Sequence, residues 1–278
     1  MLKFCVLASG SKGNAIYVSV GKTHVLVDAG LPLKELKNRL KAISVEWESI
    51  DAILITHEHM DHIRALKDMS STDAPVIYTS RLTHKAINRK SRNHKSFQIF
   101  ETLKEFTIGD FTIKPFSVMH DSTDPVGFRI QTESCKIGIA LDLGCLTPTV
   151  LENLLNVNIL VIESNHDVEL LAKSKRPSYL KKRIMGNFGH LSNEECAHII
   201  EKVLHKELYY VFLVHLSQEC NDSKRALAVN HDVVMQNGYP HVSMNATFQD
   251  RVSRCIELEA DGTSVGGYGA VRVLEEQI

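Results

Sequence analysis

DAILITHEHMDHI (51–63) joins a short, continuous apolar run to a dense set of metal-ligating side chains. The first part, DAILIT (51–56), has the length and composition of a buried strand. The second part, His57-Glu58-His59-Met60-Asp61-His62, follows it without a spacer. Strand ends are where a sheet presents side chains to a ligand, and alternation along an extended segment lets His57 and His59 point the same way. Asp61 and His62 follow where the chain turns into a helix and face a second point nearby. Four nitrogen and oxygen donors within six residues suit a borderline divalent metal such as Zn, Mn or Fe. A solvated His/Asp cluster is the alternative, but two adjacent metal sites demand this compactness.

Outward from this stretch, apolar runs alternate with turn residues. FCVLAS (4–9), AIYVSV (15–20) and HVLVDAG (24–30) are expected strands separated by SKGN and GKT, and PLKELKNRLKAI (32–43) places Leu33, Leu36, Leu40 and Ile43 on one helical face. PVIYT (75–79), VGFRIQT (126–132) and KIGIALDLG (136–144) continue the strand pattern, and FTIGDFTIKPFSV (106–118) reads as two strands joined at Gly109-Asp110. NILVIES (158–164) and LYYVFLVHLS (208–217) are strands between longer helices expected over 193–206, with Asn193 as cap, and over 222–237. HVSMN (241–245) and RCIELEA (254–260) are expected to close the sheet. No Pro- or Gly-rich linker and no repeat divides the chain, so residues 1–278 are expected to form one two-sheet domain with helices outside.

Composition narrows the class further. With 278 residues, 44% hydrophobic and 23% charged, the chain can bury a full core, which excludes a disordered or collagen-like polymer. Lys plus Arg (32) nearly balances Asp plus Glu (33), so any nucleic-acid surface must come from local charge. No apolar run reaches the roughly 18 to 20 residues of a membrane helix, and the apolar stretch in MLKFCVLASGSKGN is short for a secretory signal. A cytoplasmic protein with no membrane partner is the expectation. The six cysteines lie far apart with no C-x-x-C pair and are expected to be reduced and mostly buried. The fourteen histidines exceed what structure alone asks for.

The H-x-H-x-D-H run resembles the signature of the metallo-β-lactamase-fold hydrolase superfamily. The resemblance implies an α/β protein built as a four-layer αββα sandwich, in which two sheets pack face to face between outer helices. It also implies further metal ligands at strand ends, and the matching positions are His120 in FSVMHD, Asp142 in GIALDLG and His215 in FLVHLS. Residue by residue it puts His57, His59 and His120 on one divalent ion and Asp61, His62 and His215 on a second, with Asp142 bridging and a metal-bridging hydroxide as nucleophile. Asp28 in VDAG matches a carboxylate that buttresses such a site by accepting an imidazole N–H. The loop SGSKGNA (9–15) resembles the first glycine-containing turn of nuclease-like members, which brings Ser11 and Asn14 near the site.

One fold hosts lactamases, thioesterases, lactonases, oxidoreductases and nucleases, so the substrate must be read from other residues. His59 departs from the Glu of the iron-dependent oxygen reductases, and the 63 residues after His215 are few for the added domain of glyoxalase-type thioesterases. GHLSNEE (189–195) and HLSQECN (215–221) resemble late motifs of the Z-type tRNA-processing ribonucleases. That likeness makes His190 a candidate general acid oriented by Glu163, and with Asp61 these form the implied catalytic set. His166 and Asp167 either bind substrate or cap the next helix. Residues 173–183 (KSKRPSYLKKR) hold six Lys or Arg in eleven, including Lys181, Lys182 and Arg183, with Tyr179 among them, and 89–95 hold four in seven. Such stretches suit a nucleic-acid backbone, although many are solvated helix faces.

Only 72 residues separate Asp142 from His215, too few for the inserted cap domain of β-CASP nucleases. The segments ASGSKGNA, VMHDSTDPVGFRI and ESNHD most resemble the bacterial YycJ/WalJ subfamily. This implies a metal-dependent exonuclease acting on DNA from the 5′ end, with a role in repair. A small-molecule metallohydrolase, such as a cyclic-phosphate diesterase or lactonase, is the alternative. A non-catalytic, metal-stabilised module is a more distant one, and the tail 261–278 has no functional reading.

Overall fold

Along β1 (Leu2–Ala8) of the computed structural model, which describes residues 1–69, 74–90, 96–258 and 272–273, Leu2, Phe4 and Val6 enter one apolar core while Cys5 and Leu7 enter another. A strand covered on both faces belongs in the middle of a layered structure. The chain continues through β2 (Ala15–Val20), β3 (Thr23–Val27), α1 (Leu33–Ala42), β4 (Ala52–Leu54), α2 (Met60–Ile63), β5 (Val76–Ser80), α3 (Arg81–Lys90) and β6 (Phe97–Phe100). It then builds β7 (Phe106–Ile108), β8 (Phe111–Ser117), β9 (Val126–Gln131), β10 (Lys136–Ala140), α4 (Pro148–Leu154) and β11 (Ile159–Glu163). After α5 (Val168–Lys173), α6 (Ser178–Ile184) and α7 (Asn193–Val203) come β12 (Tyr210–Val214), α8 (Ser223–Gln236), β13 (Ser243–Ala246), β14 (Ile256–Leu258) and β15 (Arg272–Val273).

These strands form two mixed sheets. One runs β15-β14-β1-β2-β3-β4-β5-β6 and the other β13-β12-β11-β10-β9-β8-β7. Their inner faces share a core in which Phe4 and Phe212, both fully buried, meet with ring centroids 4.9 Å apart. Burying each ring contributes about 2 to 3 kcal/mol. Helix α1 covers the outer face of the first sheet with Leu36 and Leu40, and α4, α7 and α8 cover the second. This is the expected αββα sandwich.

Parallel pairing sets where chemistry can happen. Strands β3, β4 and β5 run parallel in one sheet, as do β10, β11 and β12 in the other. Their carboxyl ends therefore open onto the same rim of the sandwich, the position where sheets of this kind take ligands. Asp28, Thr56, Asp142, Ser164 and His215 each lie at or just beyond the end of one of these strands.

Three local expectations are corrected. Helix α7 is capped by Ser192, not Asn193: the Ser192 hydroxyl accepts from Glu195 N while the Glu195 carboxylate accepts from Ser192 N. Asn193 is instead fully buried and accepts from the Ser164 hydroxyl at 2.7 Å. Cys5 and Cys255 are joined in a disulfide, because the register pairing Phe4 with Ile256 sets them opposite each other across 250 residues of sequence. The other four cysteines are not joined in disulfides, and three of them are buried. HVSMN and RCIELEA do not close one sheet: β13 borders the second and β14 pairs with β1 in the first. Residues 91–95 of the second basic stretch, and the tail apart from the strand at 272–273, lie outside the described residues. Among the described residues no helix is long and apolar enough to cross a membrane.

Candidate metal centre

Three residues at the rim hold a left-handed backbone without being glycine: Asp28 (φ 62°), Asp142 (φ 47°) and His215 (φ 56°). Such conformations are costly and persist where the surroundings over-determine them. Here the constraint is visible. Asp28 N donates to Leu54 O at 2.8 Å, His215 N donates to the Ser9 hydroxyl at 2.7 Å, and Leu143 N, next to Asp142, donates to Glu163 Oε2 at 2.8 Å.

The backbone turns each of these side chains into one shared space. His57, His59 and His120 offer nitrogens that all lie within 4.8 Å of one another. Asp142 sits between this trio and a second group. Its Oδ2 is 3.9 Å from His57 Nε2 and 2.7 Å from His62 Nε2, and its Oδ1 is 3.1 Å from His215 Nδ1. Asp61 Oδ2 lies 3.6 Å from His62 Nε2 and 4.0 Å from His215 Nε2. Yet His215 Nε2 is buried with no hydrogen-bond partner, and buried Asp142 Oδ2 has only the close His62 ring, with no well-aligned hydrogen bond. Two buried polar atoms left short of partners in this way are expensive in a folded protein, and a cation placed among them would satisfy both. The donor set, imidazole nitrogens and carboxylate oxygens, fits a divalent transition metal.

The outward-facing atoms of the rings are anchored. His62 Nδ1 is 2.6 Å from Asp28 Oδ2, which leaves Nε2 directed inward. Asp28 is held in turn by Thr56, whose N–H and hydroxyl donate to it at 2.9 and 2.8 Å. His120 Nδ1 lies 3.3 Å from the Gly189 carbonyl. Glu163 Oε1 receives both His215 Nδ1 at 2.7 Å and His190 Nδ1 at 2.8 Å, so one oxygen fixes two rings. Carboxylates and carbonyls in this position set tautomer and ring orientation.

Charge follows the geometry. Burial alone would push the Glu163 carboxyl up, but the His190 and His215 rings hold it at about 2. Burial works against the charged His215 ring, but Asp142 and Glu163 lift it to about 9. Asp142 is held well below the usual carboxylate range, against its burial, by His215 and His62. His57 goes the other way, driven well down by burial and the charge of His62.

Beside this cluster lies a cleft of about 180 Å³ bordered by Ser11, Asn165, Arg176, Arg183, His190 and Ser217. Ser11, Arg183 and His190 were expected near a substrate. The other residues considered for substrate contact lie away from this cleft. Asn14 is 1% exposed, and its amide reaches His62 Nε2 at 3.1 Å instead of the cleft. His166 is also 1% exposed and pairs with Ser192 through an isolated parallel β-bridge, while Asp167 caps α5 by accepting from Leu170 N. Lys181 gives its ammonium to the Ala172 carbonyl at 2.6 Å, and neither it nor the exposed Lys182 borders the cleft.

Several contributors were not singled out from sequence. Arg176 was one unmarked member of the basic run. Glu58, inside the histidine run, accepts from Thr123 N at 3.0 Å and ties that run to the loop carrying His120. Asp121 ion-pairs with Arg183 and lies 3.3 Å from His120 Nε2. Its place directly after His120 was the available signal.

Comparison with known proteins fits this geometry. Residues 23–215 match the family described as the β-lactamase superfamily domain. The chain belongs to the metallo-β-lactamase superfamily. It is 32% identical over 240 residues to exodeoxyribonuclease YycJ of Bacillus anthracis, covering 86% of this chain and 91% of that one. It is 35% identical over 223 residues to exodeoxyribonuclease WalJ of Streptococcus pneumoniae, covering 79% and 83%. Among solved structures, the metallo-β-lactamase fold protein YhfI of Bacillus subtilis superposes with a TM-score of 0.68 at 18% identity, over 90% of this chain and 98% of that one, a likeness of fold. As a member of this superfamily the chain is a metal-dependent hydrolase, and its His/Asp cluster is the place for divalent metal.

Proposed function

We propose that this superfamily member hydrolyses phosphodiester bonds in nucleic acid, as a DNA exonuclease working from the 5′ end with two divalent ions, Zn, Mn or Fe. In this reading residues 1–278 form one hydrolase domain without an inserted cap. His57, His59 and His120 hold one ion, Asp61, His62 and His215 hold the other, and Asp142 serves both. Bound there, the ions would supply Lewis-acid charge for the phosphoryl oxygens and a nucleophile at neutral pH.

The observation that carries the reading is the shared oxygen of Glu163, which anchors a ring of the metal cluster and the His190 ring at once. The His190 side chain is 23% exposed, toward the cleft. A phosphodiester's leaving alkoxide is poor until protonated, and a ring held this way can deliver a proton from its free nitrogen. Burial opposes a charge on His190, but Glu163 raises its pKa above the ordinary histidine value, which favours the protonated form. Asp28 and Thr56 keep His62 in one tautomer, and Arg176 and Arg183, ion-paired with Glu219 and Asp121, border the cleft. The two relatives named exodeoxyribonucleases, each similar over most of its length, support DNA as the substrate.

The test is incubation of the purified protein, in Mn and in Zn, with end-labelled single- and double-stranded DNA and RNA, beside His59→Ala as the contamination control. Stepwise loss of DNA label from the 5′ end by wild type alone is the expected result. A protein that binds metal, hydrolyses small esters and leaves every nucleic acid intact would make the small-molecule hydrolase the better reading.

A further inference from the structure

Between Glu169 and Glu194 the chain carries six Lys or Arg and no acidic residue, in a protein whose net charge is −1. This segment runs along α6 and its flanks, beside the metal cluster. Arg176 and Arg183 from it border the cleft, where they pair with Glu219 and Asp121 and would exchange those carboxylates for phosphates, and Lys175 and Lys182 have no ion-pair partner among the described residues. The same segment exposes large apolar side chains. Tyr179 is 74% exposed, Phe188 55% and Met185 50%.

Phe188 is also held in place. The backbone of 184–190 is closed by Gly189 N donating to Gly186 O at 2.7 Å and His190 N donating to Ile184 O at 2.9 Å. It packs so closely that a Cβ on Gly189 would lie 2.1 Å from Ile184 O, and one on Gly144 would lie 2.2 Å from Asn187 O. The aromatic ring thus stands on a fixed loop, two residues from His190 and one from the carbonyl that meets His120.

We propose that the face formed by residues 173–188 receives one nucleic-acid strand with unpaired bases, Phe188 and Tyr179 stacking on bases while Arg176, Arg183 and Lys182 follow the phosphates. Cationic side chains beside exposed aromatic rings are the chemistry that binds a single strand regardless of sequence, because every base has a π face. In a duplex only the outer face of the terminal pair is free, so seating successive bases on two separate rings requires the duplex end to open. This inference rests on the phosphodiesterase reading above and adds to it the state of the strand.

The test compares kcat/KM for a labelled oligothymidylate with that for bis(p-nitrophenyl) phosphate, which has no base, in wild type, Phe188→Ala/Tyr179→Ala and Phe188→Trp. The ratio is expected to fall about 10- to 100-fold in the double alanine variant and to be kept by Phe188→Trp. Wild type is also expected to degrade a duplex with mismatched terminal pairs faster than a fully paired one. An unchanged ratio in the double variant, or equal rates on paired and mismatched ends, overturns the inference while leaving the phosphodiesterase intact. Hydrolysis of the small diester with no nucleic acid degraded would overturn both.

Discussion

Asp142→Ala is expected to lose metal and to lower phosphodiester hydrolysis by at least about 10³-fold, since a metal centre contributes several kcal/mol of charge stabilisation. The size of the effect follows from position. Asp142 contacts rings of both clusters, with Oδ2 facing His57 and His62 and Oδ1 facing His215. Without its carboxylate the facing imidazoles lose the anion that offsets two cations between them. Because the residue holds a left-handed backbone, alanine adds strain; Asp142→Asn tolerates that backbone and separates loss of charge from misfolding. Metal content per chain and kcat, measured together with circular dichroism, check the prediction. An alanine variant with full metal and full turnover would contradict the ligand assignment.

His190→Ala is expected to reduce kcat about 10²- to 10⁴-fold while the metal content stays at the wild-type level, the range typical of a positioned general acid. Its nearest polar contact is Glu163 at 2.8 Å, and the ring stands at the cleft edge beside Asp142, Glu163 and His215, so unchanged metal content is the result that separates a proton donor from a ligand. The loss should shrink to about tenfold or less on a diester with a p-nitrophenolate leaving group, which departs without a proton. A uniform loss on both substrates would instead place His190 in binding or in holding His215 through Glu163.

The histidine run was legible because four donors fall within six residues and its strand is apolar, so local pattern was enough. His120, Asp142 and His215 are single residues at strand ends and were found through resemblance to a family. Burial of polar side chains escaped the local pattern: Asn14 and His166 look like loop residues, yet the rim closes over both. The Cys5–Cys255 disulfide depends on a register between the first strand and β14, which spacing does not encode. Thr56 and Glu58 were passed over because their roles lie in contacts with Asp28 and Thr123, far away in sequence. Ser192 and Asn193 are adjacent and both good caps, and only the placement of Glu195 against Ser192 decides between them.

The most direct measurement is the initial rate of hydrolysis of 5′-labelled DNA as the chelator-stripped protein is titrated with Mn. The rate is predicted to rise until two equivalents per chain are bound and then to stay level. A plateau at one equivalent, or no release of labelled nucleotide at any metal load, would contradict a dinuclear nuclease.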